Sequence, residues 1–348
     1  MSKSTGFGII GAGVISHVHA KAISEIPNAR LVGIHGSNAE KVVAFSERHG
    51  CTAFSTLDEM LSSPDIDIVC ICTPSGAHLE PALEAIRAGK HCLIEKPLEI
   101  TLERCDAIIE AAAKAGVQVA VIFPSRFYEA ASRLKKALDA GRFGDIVLGD
   151  AYVKWHRTDA YYQSAAWRGT WQLDGGGALM NQGIHSVDLL QWYMGPVESV
   201  QAFVANRKHK TIEVEDTVVA SLRFASGALG SIEASTALWP GSLKQIEILG
   251  AEGSAVLQES DLTRWDFIHP REEDHAIRSA GGSSSHGGVS NPADISHMGH
   301  LFQISDLMRA IQEGGLPAID GLEGRKSVEI VLAIYQSARE GRPIKLTS

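Results

Sequence analysis

The stretch Phe7-Gly8-Ile9-Ile10-Gly11-Ala12-Gly13-Val14-Ile15-Ser16 constrains what this chain can fold into more than any other. An apolar run suited to a buried strand breaks at glycines and passes at once into a helical pattern. In that pattern Val14, Val18, Ala22 and Ile26 recur at every fourth residue, giving an expected packing face. A strand, a tight turn and a helix start leave the first backbone N–H groups of the helix without partners and with partial positive charge. A turn free of bulky side chains lets a pyrophosphate rest on them. The stretch therefore predicts a dinucleotide site, with Gly11, Gly13, Val14 and Ile15 as expected contacts. The GxGxxG fingerprint is incomplete, because Ser16 stands where a third glycine permits close helix–strand approach. Taken alone the glycines suit a plain structural turn equally well, and the surrounding chain has to decide.

At 348 residues the chain exceeds the usual span of about 150 residues per domain, so two domains are expected. Its 45% hydrophobic and 21% charged residues describe an ordinary globular protein. A formal charge of −9, with no basic stripe, argues against nucleic acid or an anionic membrane surface as partner. No apolar run approaches the roughly 18 residues that span a bilayer, and the N-terminus enters a core strand directly, so a cytoplasmic location is expected. Cys51, Cys70, Cys72, Cys92 and Cys105 read as reduced structural cysteines rather than metal ligands, and no metal is expected.

From Arg30 to Leu98 strand-like and helix-like stretches alternate, the pattern of a parallel sheet with crossover helices. Ala29 to His35 is the expected second strand. Where an acidic residue would hold a ribose 2′-OH, the chain reads His35-Gly36-Ser37-Asn38. Ser37 or Asn38 could bond a 2′-phosphate, with Lys41 as a candidate clamp, and the missing carboxylate leans the cofactor expectation, NAD(P), toward NADP. Asp67 to Cys72 is another buried strand. Its turn, Thr73-Pro74-Ser75-Gly76, falls at a strand's carboxyl end, where α/β sheets collect ligands, so Thr73 and Pro74 are expected beside the nicotinamide ribose. His78 either packs as a cap or lies near the cofactor. His91 to Ile94 forms the next strand and ends in Glu95-Lys96-Pro97. A lysine held there by a following proline could hydrogen-bond a substrate hydroxyl and exchange a proton with it; it could equally be a solvated lysine before a strand-ending proline.

Gly11-Ala12-Gly13, Thr73-Pro74 followed by His78, Ala88-Gly89-Lys90-His91 and Glu95-Lys96-Pro97, at this spacing, resemble the glucose–fructose oxidoreductase / inositol dehydrogenase (Gfo/Idh/MocA) family over nearly the whole chain. The resemblance implies an α/β N-terminal Rossmann domain at 1–124. It also implies an α+β domain at 125–348, with a large, mostly antiparallel, open-faced sheet that makes a homo-oligomer, dimer or tetramer. Glu95 and Pro97 join Lys96 among the implied cofactor contacts.

The second half supports this from its own pattern. Thr217 to Phe224 alternates, with Val218, Ala220, Leu222 and Phe224 on one face, and strand patterns continue through Ala228–Ser235, Lys244–Gly250 and Ser254–Gln258 as a meander. Ser279–Pro292 reads as a Gly/Ser-rich surface loop, and helices are expected at Ile295–Gln312 and Leu322–Arg339. Between 154 and 177 lie Lys154-Trp155-His156-Arg157, Tyr161-Tyr162, Trp167-Arg168 and Asp174-Gly175-Gly176-Gly177. Aromatic rings among Arg, His and hydroxyl groups suit either a carbohydrate or a protein interface. Arg126, Trp155, His156, Tyr162, Trp167 and Arg168 are the expected substrate contacts, with Lys96, Asn181 and His185. The helix after the glycines places Asn181 and His185 four apart, on one face, with Asp188 adjoining. His185 matches the histidine of the family's Asp-x-x-x-His pair, and Asn181 replaces the aspartate. An asparagine orients an imidazole but does not stabilise its cation, so Asp188 or Lys96 is the alternative source of help.

These residues imply a hydride transfer between nicotinamide and a secondary hydroxyl or keto carbon of a sugar, glycoside or cyclitol. Lys96 and His185 share the proton work, with Asn181 orienting. The alternatives are a glycosidase that oxidises transiently, and a non-catalytic nucleotide or sugar sensor of the same fold.

Overall fold

The computed structural model describes residues 4–279 and 296–346. In chain order, β1 (Thr5–Ile10), α1 (Val14–Glu25), β2 (Ala29–His35), α2 (Ala39–His49), β3 (Thr52–Ala53), α3 (Leu57–Leu61), β4 (Ile68–Ile71), α4 (Leu79–Arg87), β5 (His91–Ile94), α5 (Leu102–Ala115) and β6 (Val119–Val121) alternate. The six strands pair in parallel in the order β3-β2-β1-β4-β5-β6. β1, at the centre, buries Phe7, Ile9 and Ile10, as a strand covered on both faces must.

α1 departs from the expected face. Ser16, His19, Ala20, Ala22 and Ile23 are buried, whereas Val14 is 63% exposed. A helix turns every 3.6 residues, so a row read at strict spacing four slides by about 40° per step. Val14 has drifted off the buried stripe by the time that row reaches Ala22 and Ile26.

After β6 come α6 (Glu129–Asp139), β7 (Ile146–Lys154), α7 (Asp159–Gln163), α8 (Ile184–Met194), β8 (Val197–Ala205), β9 (Thr217–Phe224), β10 (Leu229–Ser235), β11 (Gln245–Gly250), β12 (Gly253–Gln258), β13 (Asp261–Phe267), α9 (Glu272–Ser279), α10 (Met298–Glu313), α11 (Gly321–Glu340) and β14 (Ile344–Lys345). Eight strands form a second sheet in the order β13-β12-β11-β7-β10-β9-β8-β14. It is antiparallel except where β7 pairs in parallel with β10. The simple meander expected from β9 to β12 is thus interrupted, because β7 slots between β10 and β11. Alternation predicted the covered face of β9, where Val218, Ala220, Leu222 and Phe224 are buried.

One compact unit runs to Pro124 and takes in residues 296–325, and the other holds residues 125–279 and 326–346. α10 buries Ile304, Leu307 and Met308 in the same cluster as Phe7, Ile9 and Ile34. Hydrophobic burial by this late helix completes the core of the first sheet, which is why 125–348 is not one continuous domain. From residue 280 on, the expected surface loop Ser279–Pro292 lies outside the described residues. All five cysteines are free thiols, and burial pushes Cys92 up to about 12. No helix among the described residues is long and apolar enough to cross a membrane.

Candidate functional site

In the first unit the β1–α1 turn has the shape a pyrophosphate needs. Gly11 sits at φ +102°, and a Cβ there would lie 2.7 Å from the Cys72 carbonyl oxygen, so only glycine fits. Gly13 caps α1 in an extended conformation with no side-chain cap, and a Cβ built on it would meet no heavy atom within 4 Å. By contrast α2, α3 and α5 are capped by Asn38, Thr56 and Thr101. The donors that open α1 therefore face open space, and the residues present fit a dinucleotide pyrophosphate. Ser16 occupies the third position fully buried because its hydroxyl donates back to the Gly13 carbonyl at 2.6 Å. Ile15 is half-buried beside it. After β2, Ser37 and Asn38 are exposed, and Asn38 Oδ1 accepts from Lys41 N at 2.9 Å to cap α2.

Two neighbouring strand-end turns are tied together from beneath. Thr73 Oγ1 donates to the Ala77 carbonyl at 2.8 Å, and Pro74 opens a short 3₁₀ turn. His78 is buried, with Nε2 3.0 Å from the Thr73 carbonyl and Nδ1 2.9 Å from that of Pro97. Burial draws its pKa down, against the pull of Glu99 and these carbonyls. Its ring is thus a strut between the turns, which is the packing alternative weighed from sequence.

Glu95 is buried under Lys96. Its Oε1 accepts from His19 Nε2 at 2.8 Å, with His300 Nε2 at 3.5 Å, and its Oε2 accepts from the Lys96 N–H at 3.3 Å. Burial opposes the charge, but the hydrogen bond from His19 and the nearby His300 ring outweigh it and hold the carboxyl well below the usual range. The ligand-capable atoms of His19, Glu95 and His300 lie within 4.8 Å of one another. The direct 2.8 Å bond makes the group a brace for the Lys96 backbone. Neither histidine stood out in the sequence; the one signal was a polar residue, His19, inside an otherwise small and apolar stripe of α1. Pro97 is buried and Lys96 half-buried, and the peptide between them is cis.

In the second unit, a buried carboxylate shapes the glycine turn. Glu215 accepts from Gly177 N at 2.8 Å, Leu179 N at 2.9 Å and the Tyr335 hydroxyl at 2.9 Å. A Cβ on Gly177 would fall 1.8 Å from the Glu215 carbonyl oxygen, so this approach requires glycine. Ala178–Gly183 then forms a π-helical turn running into α8, a distortion common at functional sites. Asn181 lies in that turn and His185 in the first turn of α8.

A carboxylate from the preceding loop bonds the Asn181 amide. Asp174, buried, accepts from the Asn181 amide and, through Oδ2, from Gly169 N at 2.8 Å. Only its place before three glycines hinted at this in the sequence. Gln182 Nε2 donates to Asn181 Oδ1 at 2.5 Å and to the Tyr161 hydroxyl at 2.8 Å. Arg157 Nη2 donates to Gln182 Oε1 at 2.8 Å, and Arg168 Nη1 to the Tyr161 hydroxyl at 2.6 Å. Asp174, Asn181, Gln182, Tyr161, Arg157 and Arg168 are therefore one hydrogen-bonded group.

Other expected contacts fall elsewhere. Arg126 is buried in a two-pronged pair with Asp188, at 2.8 and 2.7 Å, so its fork faces protein and Asp188 is engaged by it. A charge this deeply buried is retained only with such a partner. Tyr162 is buried with its hydroxyl on Thr236 Oγ1 at 2.7 Å, leaving Tyr161 as the tyrosine of the group. Trp155 is buried under the Arg157 guanidinium, 4.9 Å from the ring centroid, and Trp167 lies under Arg168 at 4.7 Å. His156 is turned to Lys208, its Nε2 2.5 Å from Nζ, and to the exposed Trp239.

Comparison with known proteins agrees with this architecture. The family model for the oxidoreductase family with NAD-binding Rossmann fold matches residues 5–123, and that for the GFO/IDH/MocA C-terminal domain matches residues 131–256. The chain is 31% identical to an inositol 2-dehydrogenase of Rhizobium meliloti, over 72% of this chain and 75% of that protein. It is 27% identical to a myo-inositol 2-dehydrogenase of Thermotoga maritima, over 97% of this chain and 98% of that protein. Among solved structures, the WlbA dehydrogenase of Bordetella pertussis in complex with NADH and UDP-GlcNAcA is 35% identical with TM-score 0.90, covering 100% of this chain and 99% of that one. A levoglucosan dehydrogenase complex with NADH and L-sorbose is 25% identical with TM-score 0.87, covering 100% of both. The chain belongs to the Gfo/Idh/MocA family of oxidoreductases, its N-terminal portion being the NAD-binding Rossmann domain.

Proposed function

We propose that this protein is an NAD(H)-dependent dehydrogenase acting on a secondary hydroxyl, or the corresponding ketone, of a sugar or cyclitol. The observation that carries the reading is Lys96, whose backbone is bonded to the buried Glu95 brace at the carboxyl end of β5, in a sheet whose β1–α1 turn is open to a pyrophosphate. Bound nicotinamide supplies the hydride acceptor or donor. Lys96 donates a hydrogen bond to the substrate oxygen and exchanges a proton with it, a task suited to a half-buried ammonium group. His185, on the helix that follows Asn181, is the second proton-handling group. Asn181 is immobilised by Asp174 and Gln182, so its own amide is oriented rather than adaptable.

The missing acidic residue after β2 leaves room for a 2′-phosphate. Against NADP stand the absence of an arginine at Gly36–Lys41 and the commitment of Asn38 Oδ1 to capping α2. Similar structures were obtained with NADH, which supports NAD as the working cofactor. Exposed Phe203, Val219 and Leu229 on the second sheet support a homo-oligomer that covers them.

Substituting Lys96→Met keeps most of the side-chain volume and removes the ammonium group. Turnover is expected to fall about 10²-fold or more while NADH affinity stays within twofold. A variant that turns over normally overturns the assignment.

A further inference from the structure

We infer that Glu215 is a positioning residue for this site: as a carboxylate it seats the turn that carries Asn181 and aims the helix that carries His185. The inference rests on the dehydrogenase reading above and adds a residue to its machinery. A helix leaves its first four backbone N–H groups without partners of its own, and a neighbouring side chain usually caps one or two of them. Asn38, Thr56 and Thr101 do so for α2, α3 and α5. The helical run that opens at Ala178 has no such cap, because Gly177 has no side chain to offer.

All four donors are met instead by residues distant in the chain. Gly177 N donates to Glu215 Oε2 at 2.8 Å, Ala178 N to the Glu215 carbonyl at 3.0 Å, Leu179 N to Glu215 Oε1 at 2.9 Å and Met180 N to the Tyr335 hydroxyl at 3.3 Å. That hydroxyl in turn donates to Glu215 Oε1 at 2.9 Å. The next donor, Asn181 N, closes the first bond inside the helix, onto the Gly177 carbonyl at 3.0 Å. Gly177 thus holds Glu215 through its N–H and Asn181 through its carbonyl. The fit leaves no slack, since a Cβ on Gly176 would fall 2.2 Å from the Tyr335 hydroxyl oxygen.

Charge matters here as well as shape. An ionised Glu215 accepts from all three side-chain-directed donors with its two oxygens, and negative charge is favoured at a helix N-terminus. A neutral carboxyl, or an amide, carries a donor of its own and must turn it toward groups that themselves donate. The titratable groups facing Glu215 are Tyr335 from α11 and Tyr162 from α7, both pushed up by burial and therefore neutral. Asp216, next in the chain, is turned to the N–H groups of Arg207, Lys208 and His209, and Asp174 to the Asn181 amide and Gly169 N. Burial pushes Glu215 itself up to about 7, so the charge that seats the turn is present above that pH and lost below it.

The test is turnover at pH 5.5 and pH 8.5 by the wild type, Glu215→Gln and Tyr335→Phe, with NAD⁺ and whichever of myo-inositol, glucose and UDP-glucose the wild type oxidises fastest. At pH 8.5 Glu215→Gln is expected to lower kcat about tenfold or more, with KM and NADH affinity within about twofold, because aim is lost and binding surface is not. At pH 5.5, where the wild-type group is itself neutral, the two should agree within about threefold. A purely structural role gives the opposite order, since the wild type gains stability over the variant as pH falls. Tyr335→Phe keeps the carboxylate and removes a donor that lowers its pKa, so its rise in kcat should move to higher pH; should Glu215→Gln fail to fold, this shift decides alone. Deuterium uptake at residues 177–183 reads the seat without turnover, and at pH 8.5 it should be about tenfold faster in Glu215→Gln. A kcat ratio equal at both pH values, or larger at pH 5.5, overturns the proposal and leaves the dehydrogenase reading standing. Faster uptake in Glu215→Gln, with a wild type that reduces no NAD⁺ with any of the sugars, removes the dehydrogenase reading and confines Glu215 to holding the fold.

Discussion

Glu215 is a carboxylate that organises a loop through neutral donors alone: two backbone N–H groups and a tyrosine hydroxyl. Burial pushes its pKa up to about 7, with those hydrogen bonds only partly offsetting the rise. The folded protein consequently holds this proton more tightly than the unfolded chain. Its stabilising contribution is complete below the ordinary value of 4.5 and is lost as pH rises through about 7. The whole effect is about 3 kcal/mol at most. Glu215→Gln cannot ionise, and its amide NH₂ would face an N–H donor, costing about 1–3 kcal/mol. Denaturant titrations at pH 5 and pH 7.5 should show the variant less stable at the lower pH, with a narrower gap at the higher. An equal gap at both would count against the raised pKa. Nothing in the linear order marks Glu215 for this role, because its partners lie near 178 and at 335.

At the scale of elements, the β1–α1 turn separates two uses of glycine. Gly11 is required by its backbone conformation, whereas Gly13 has extended backbone and empty space where a side chain would go. Gly13→Val is therefore expected to change folding stability by less than about 0.5 kcal/mol while weakening NADH binding at least tenfold. Parallel thermal melts of the unliganded protein and NADH fluorescence titrations check this; a stability loss without an affinity loss would assign the glycine to folding alone. The bounds of β2, β5 and β9 were legible because strand alternation and flanking turn residues are local signals. The buried face of α1 was misread where spacing four drifts against the helical period. The parallel β7–β10 pair was not legible, since a strand carries no mark of which distant strand it will join.

For the whole molecule, the chain returns late to complete its first core. α10 fills the same cluster as β1 and β2 with Ile304, Leu307 and Met308. Expressed alone, residues 1–124 should therefore lack a cooperative thermal transition and bind hydrophobic dyes, because the surface that α10 covers is exposed. A fragment with a sharp transition of its own would show that the helix is dispensable.

What the sequence determined by itself is what neighbouring residues decide: the glycine turn that opens α1, the alternating strands, the lysine placed at a strand end. Those features depend on backbone sterics and on hydrophobic period, which act over a few residues. Tertiary structure decided the rest. It brought His19 and His300 to Glu95, set Asp174 against the Asn181 amide, turned Arg126 inward to Asp188 and placed Arg168 on the Tyr161 hydroxyl. Each of these depends on which groups lose water together when distant segments pack, and a buried charge or donor takes its character from that company.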